Sequence, residues 1–120
     1  MYKRQITDAI LGAAAMGDIG ELFPDTDQEN HQRDSADMLL KAMQKVAESG
    51  FQIINLDCIV FAEKPKLSAF KQAIADRIAE ILKISPNQVG VKAKTGEGVG
   101  AVGGGQAMMA QCVALLQQIR

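Results

Sequence analysis

The sequence predicts an α/β fold, a mixed sheet packed on helices, and three observations predict it. Residues 51–63 (FQIINLDCIVFAE) and 89–93 (VGVKA) are rich in β-branched and apolar residues, as strands are. Stretches with apolar residues at helical spacing flank both. The chain has 120 residues, 48% hydrophobic and 22% charged, which suits one globular domain rather than a disordered segment.

The elements follow in order. Residues 7–16, TDAILGAAAM, predict a short, closely packed helix with Thr7 or Asp8 as its cap and Gly17 as its stop. An acidic loop follows. Asp34 or Ser35 then caps a helix whose Ala36, Leu39, Leu40, Met43, Val46 and Ala47 form one apolar face, and Gly50 ends it. The strand from Phe51 is apolar on both faces over much of its length, as a central strand covered by helices would be, and Pro65 breaks it. Ser68 is the candidate cap of the next helix, with Phe70, Ile74, Ile78, Ile81 and Leu82 on one side. ISPNQ is a turn, Val89 opens the second strand, a glycine-rich loop comes next, and residues 106–119 predict a last helix. Two strands do not make a stable sheet. The pattern therefore requires strands from neighbouring subunits, or from a segment that the chain lacks.

Composition excludes some functions. The net charge is −1 with no basic block, which argues against a nucleic-acid binder. The apolar runs are too short to span a bilayer and the N-terminus is not a signal peptide, so no membrane is expected and the cytoplasm is the expected compartment. Cys58 and Cys112 lack metal-ligand spacing and read as two buried, reduced thiols rather than a disulfide or a reactive site. His31 is the single histidine, too few for a zinc site of the common kind.

Three loops carry candidate chemistry. The first, GDIGELFPDTDQENHQRD at 17–34, holds Asp18, Glu21, Asp25, Asp27, Glu29 and Asp34 in a stretch broken by glycine and proline. It reads either as a solvated linker or as a loop that grips a polar ligand. The second, AEKPKL at 62–67, follows the first strand, where ligands of open α/β sheets tend to sit. The third is KTGEGVGAVGGG at 94–105. Its Gly98, Gly100 and Gly103 match G-x-G-x-x-G, but the chain ends before a second strand with the ribose-binding acid, so a dinucleotide site is a poor fit. A phosphate cradle built from backbone N–H groups fits better, with Lys94 as a cation, Thr95 as a hydroxyl and Glu97 as a Mg²⁺ ligand; a flexible surface loop is the alternative.

Taken together, TDAILGAAAMGDIGELFPDTD, AEKPKL and VKAKTGEGVG resemble 2-C-methyl-D-erythritol 2,4-cyclodiphosphate synthases, enzymes of non-mevalonate isoprenoid biosynthesis. The resemblance covers nearly the whole chain from about Ile6. It implies a chorismate-mutase-like homotrimer with active sites between adjacent subunits. It implies conversion of 4-diphosphocytidyl-2-C-methyl-D-erythritol 2-phosphate to the 2,4-cyclodiphosphate with release of CMP. Asp18, Ile19 and Gly20 would lie near the ribose and methylerythritol. Phe23, Pro24, Asp25, Thr26 and Asp27 would wall the methylerythritol phosphate. Ala62, Glu63, Lys64, Pro65, Lys66 and Leu67 would form the cytosine pocket. Lys94, Thr95, Gly96 and Glu97 would face the phosphates, with Thr95 stabilising transition-state charge and Glu97 holding Mg²⁺ or Mn²⁺.

Departures from that family are as informative. Its zinc ligands, an Asp-x-His pair and a third histidine, are absent, and Arg4 stands where the third falls. MYKRQ at 1–5 does not resemble the family. Gly104 and Gln106 replace a common Arg and Glu near the trimer axis, and Gly96 replaces a hydroxyl or amide side chain. The expectation is a single synthase domain without its first strands, inactive alone, with a non-catalytic cytidine-nucleotide-binding homologue as the alternative.

Overall fold

A three-stranded sheet organises the chain. The computed structural model describes residues 2–30, 33–64 and 66–119. His31 and Pro65, both singled out in the sequence, lie outside the described residues. Strand β1 (Phe51–Phe61) is central, with β2 (Val89–Lys94) parallel on one side and β3 (Met109–Gln118) antiparallel on the other. The helices are α1 (Tyr2–Ala13), the short α2 (Ile19–Leu22), α3 (Ser35–Glu48), α4 (Lys71–Leu82) and the short α5 (Gly100–Gly103).

The largest correction is β3. The predicted last helix at 106–119 is instead a strand, and it supplies the partner that two strands lacked. Its pairing runs from Phe51↔Gln118 to Phe61↔Met109 and satisfies the second edge of β1. Burial along it has the period of two that a strand requires: Ala110, Cys112, Ala114 and Leu116 are half-buried, while Met109, Gln111, Val113 and Leu115 are exposed. The register shifts between Ile53 and Asn55, and the Gln88 side-chain amide donates to the carbonyls of Ile53 and Ile54, both at 3.1 Å.

β1 is covered on one face rather than two. Ile53, Leu56, Cys58 and Val60 are buried against the helices. The opposite face carries Ile54, Val113, Leu115 and Met109, all exposed, and an ion pair between Lys92 Nζ and Asp57 Oδ2 at 2.9 Å. The core joins Ile6, Ile10 and Leu11 of α1, Leu39, Ala42 and Val46 of α3, and Ile78, Ala79 and Leu82 of α4 to that inner sheet face. Burying the leucine, isoleucine and valine side chains among these stabilises by about 1.5–3 kcal/mol each.

Helix boundaries differ from expectation in three places. α1 begins at Tyr2, so Thr7 and Asp8 lie inside the helix; Thr7 is fully buried and its hydroxyl donates to the Lys3 carbonyl at 2.9 Å. Ser68 opens a 3₁₀ turn, Ser68–Phe70, and α4 starts at Lys71, which leaves Phe70 exposed. In α3 the buried stripe contains Met38 and Ala42, with Leu40 and Met43 half-buried and Ala47 exposed. Asp34 is the α3 cap, accepting from Ala36 N at 3.0 Å, as its position predicts. Gly50 follows that helix at φ 90°, a conformation glycine adopts without strain.

Candidate functional site

The parallel pairing of β1 with β2 brings two of the three loops together. The register Phe61↔Lys94 makes both strands leave the sheet at one end, and Ala62 N extends the ladder to Lys94 O at 2.9 Å. A cavity of about 110 Å³ opens there, lined by Ala62, Lys66, Leu67, Ser68, Ala93, Lys94 and Thr95. It is smaller than a whole-ligand pocket, which holds roughly 300–1,000 Å³, and suits one flat moiety of a larger ligand. Ser68 and Ala93 line it without having been foreseen; both simply flank predicted segments.

A side chain ties the two loops. Glu63 Oε2 accepts from Gly96 N at 3.0 Å. Thr95 Oγ1 accepts from Glu97 N at 3.2 Å, which leaves the hydroxyl proton to serve another acceptor. Glu97 sits at φ 52°, in the left-handed region, and its side chain is exposed. Lys66 and Lys94 line the cavity and are exposed, which gives it a cationic rim, and Lys64 is exposed on the same loop.

The glycine loop is folded on itself. Val99 N donates to Gly96 O at 2.9 Å, and Gly103 N to Val99 O at 3.1 Å. The backbones of Gly96, Gly98 and Gly103 approach so closely that a Cβ on Gly103 would stand 2.5 Å from the Gly98 carbonyl carbon, and one on Gly96 would run into Gly103. These contacts explain Gly96 and Gly103, and positive φ at Gly98 (77°) and Gly100 (71°) explains the other two, without a dinucleotide motif. The four-residue helix α5 lies within the motif itself, and the chain goes on to β3 instead of opening a second β-α unit.

The acidic loop is built, not merely solvated. Asp18 is the cap of α2: its Oδ1 accepts from Glu21 N at 2.9 Å, and Asp8 Oδ1 accepts from Ile19 N at 2.7 Å. Gly20 is exposed and Ile19 half-buried. Phe23 is 6% exposed, whereas Pro24, Asp25, Thr26 and Asp27 stand on the surface. Arg33, not singled out in the sequence, organises the loop. Its guanidinium lies 4.8 Å from the Phe23 ring centroid, its Nε donates to Asp37 Oδ2 at 2.7 Å and its Nη1 to Asn30 Oδ1 at 2.9 Å. The i, i+4 spacing of Arg33 and Asp37 was the available signal. None of residues 18–27 lines the 62–68 cavity among the described residues.

Comparison with known proteins matches this layout to a family. The sequence profile of the YgbB family covers residues 3–117. The 2-C-methyl-D-erythritol 2,4-cyclodiphosphate synthase of Natranaerobius thermophilus is 46% identical over 114 residues, covering 95% of this chain and 72% of that protein. The same-named protein of Treponema denticola is 44% identical over 111 residues, covering 92% and 69%. Among solved structures, the bifunctional IspDF from Campylobacter jejuni superposes with a TM-score of 0.92 at 43% identity, over 98% of this chain and 32% of its own. A CDP-bound 2C-methyl-D-erythritol-2,4-cyclodiphosphate synthase gives 0.87 at 31% identity, over 96% and 74%. The chain belongs to the YgbB family, the family of the 2-C-methyl-D-erythritol 2,4-cyclodiphosphate synthases.

Proposed function

We propose that this chain provides the nucleotide- and phosphate-facing loops of a cyclodiphosphate synthase. The reaction converts 4-diphosphocytidyl-2-C-methyl-D-erythritol 2-phosphate to 2-C-methyl-D-erythritol 2,4-cyclodiphosphate. An oxygen of the 2-phosphate bonds to the β-phosphorus, the bond from that phosphorus to the bridging oxygen breaks, and CMP departs with the oxygen. The observation that carries the reading is the cavity between residues 62–68 and 93–95, latched to the glycine loop by Glu63.

The residues divide the work as charge and shape dictate. Backbone groups of 62–67 read the edge of the cytosine in the small cavity. The exposed Lys64, Lys66 and Lys94 offset phosphate charge, and the Thr95 hydroxyl donates to phosphate oxygens where charge builds. Asp18, Ile19, Gly20 and residues 23–27 take the sugar and methylerythritol end. Such a transfer depends on alignment and charge neutralisation more than on a strong base.

Metal requirements separate into two parts. Among the described residues, no group of three or more His, Cys, Asp or Glu side chains could hold a metal. A zinc site made by these residues therefore does not fit. Glu97 does fit a magnesium or manganese ion in the usual manner, as one carboxylate completed by phosphate oxygens and water. When bound, such an ion neutralises charge on the diphosphate.

The outer face of the sheet supports association between copies, and the homotrimer is our proposal for its form. Val113 is 71% exposed, Leu115 56% and Met109 49%, a concentration of apolar surface that a second copy would cover. No helix of the described residues is long and apolar enough to cross a membrane.

A second reading, a cytidine-nucleotide-binding homologue without turnover, is compatible with the lack of a metal-holding cluster among the described residues. Calorimetric titration with CMP and with CDP, with and without Mg²⁺, tests the site. Binding that Mg²⁺ strengthens and that Glu97→Gln makes Mg²⁺-independent supports the assignment. Absence of nucleotide binding sinks both readings. A CMP-release assay on the same protein separates synthase from binding-only homologue.

A further inference from the structure

We propose that Cys58 and Cys112 are a redox-modification site, a cross-strand dithiol that closes to an intrachain disulfide when a peroxide reaches it. The pair belongs to the inner face of the sheet, on neither of the ligand loops, so it stands independently of the synthase reading. Cys58 and Cys112 are directly opposed in the antiparallel register of β1 and β3, and their sulfurs lie 3.1 Å apart. Both are free thiols. Directly opposed antiparallel residues have Cα atoms about 4.5 or 5.5 Å apart, and both values fall within the roughly 4.4–6.8 Å that a disulfide accepts. The sulfurs have about 1 Å left to travel to a bond length near 2.05 Å, a distance that side-chain rotation covers without moving a strand.

The pair also has access and reactivity. Cys58 is 3% exposed, but Cys112 is only half-buried, on the outer strand of the sheet. A hydrogen bond in which either thiol can donate joins the two sulfurs; it holds the Cys58 pKa below its ordinary value and, with burial, pushes that of Cys112 up. By exposure, Cys112 is therefore the sulfur a peroxide reaches, and Cys58 stands 3.1 Å behind it to resolve the sulfenic acid. Neighbouring Asp57 opposes ionisation of both.

The step balances with a peroxide as oxidant. The thiolate attacks one peroxide oxygen, the O–O bond breaks, and a sulfenic acid and one water result. The second sulfur then attacks the sulfenic sulfur, an S–S bond forms, and a second water leaves with the remaining proton. Each cysteine sulfur gives one electron, and the peroxide takes both.

The test uses the full 120-residue chain and hydrogen peroxide near neutral pH. Thiols titrated after denaturation should fall to none, the intact mass should drop by two hydrogens, and a digest should yield one peptide pair joined through Cys58 and Cys112. Dithiothreitol should restore both thiols. Closing a loop of this length should raise the melting temperature by about 10 °C. A chain that keeps both thiols overturns the proposal. So does a covalent dimer on a non-reducing gel, or a mass gain of added oxygen without the linked peptide. In Cys58→Ser the remaining Cys112 should accumulate sulfenic acid that dimedone traps. If that variant does not fold, Cys112→Ser should leave Cys58 unreacted, and oxidation of Cys58 in it would overturn entry of the peroxide at Cys112.

Discussion

Glu63 Oε2 accepts the amide N–H of Gly96 at 3.0 Å, so a carboxylate from the loop after β1 holds the loop after β2. Bonds to a charged partner are worth about 1.5–3 kcal/mol when half-buried. Glu63→Ala should release the glycine loop and weaken CMP binding roughly three- to tenfold in a calorimetric titration. Glu63→Gln keeps an acceptor oxygen and should retain most of the affinity. Equal loss in both variants would show that the carboxylate acts by charge and not as a latch.

Arg33 joins three partners on the acidic loop: the Phe23 ring, Asn30 and Asp37. Asp37 is 42% exposed, so the ion pair itself contributes little. The planar fork that reaches all three at once contributes more, and lysine does not reproduce it. Arg33→Lys should therefore cost nearly as much as Arg33→Ala, about 1 kcal/mol in urea unfolding. Amide hydrogen exchange should accelerate across residues 23–30 and leave the sheet unchanged.

Gly103 and Gly104 are adjacent but not equivalent. A Cβ on Gly103 meets the Gly98 backbone at 2.5 Å, where nothing can yield cheaply, whereas one on Gly104 meets the Gly100 carbonyl at 3.2 Å. Gly103→Ala should open the glycine loop and abolish Mg²⁺-assisted nucleotide binding with little change in melting temperature. Gly104→Ala should bind within about twofold of the parent. A wild-type titration curve from Gly103→Ala would refute the close-packed loop.

Val113 is the most exposed apolar residue of the outer sheet face. Val113→Asp places a second carboxylate opposite Asp57, its cross-strand partner. The variant should lose self-association in sedimentation analysis while keeping the helix content of the parent. Unchanged sedimentation would mean that another surface joins the copies.

The long helices α1, α3 and α4 were legible because each has one helical period, and β1 and β2 because they are rich in β-branched and apolar residues. Ile6, Ile10 and Leu11, or Ile78, Ile81 and Leu82, mark a single helical face, and Asp34 and Gly50 mark the ends of α3. β3 was not legible as a strand. In MAQCVALLQQ, Met109, Val113 and Leu115 are apolar although they face outward, so the alternation that signals a half-buried strand disappears. What remains, apolar residues at 112, 113, 115 and 116, imitates a helix. The same misreading hid the Cys58–Cys112 pair, because opposed positions exist only once two strands are paired. At the candidate site the loop sequences were readable and the Glu63–Gly96 bond was not, since the partners lie 33 residues apart.

The strand order has a further consequence during synthesis. β1 and its antiparallel partner β3 are separated by the whole of α4, β2 and the glycine loop. A ribosome adding about 5–20 residues per second takes several seconds to pass from Phe61 to Met109. Throughout that interval the nascent chain carries the inner apolar face of β1 with at least one edge unpaired, and with both unpaired until β2 emerges. The last ten residues of the sheet are therefore the ones whose emergence ends the aggregation-prone phase, and a stop codon before Met109 removes them while leaving every residue of the cavity in place.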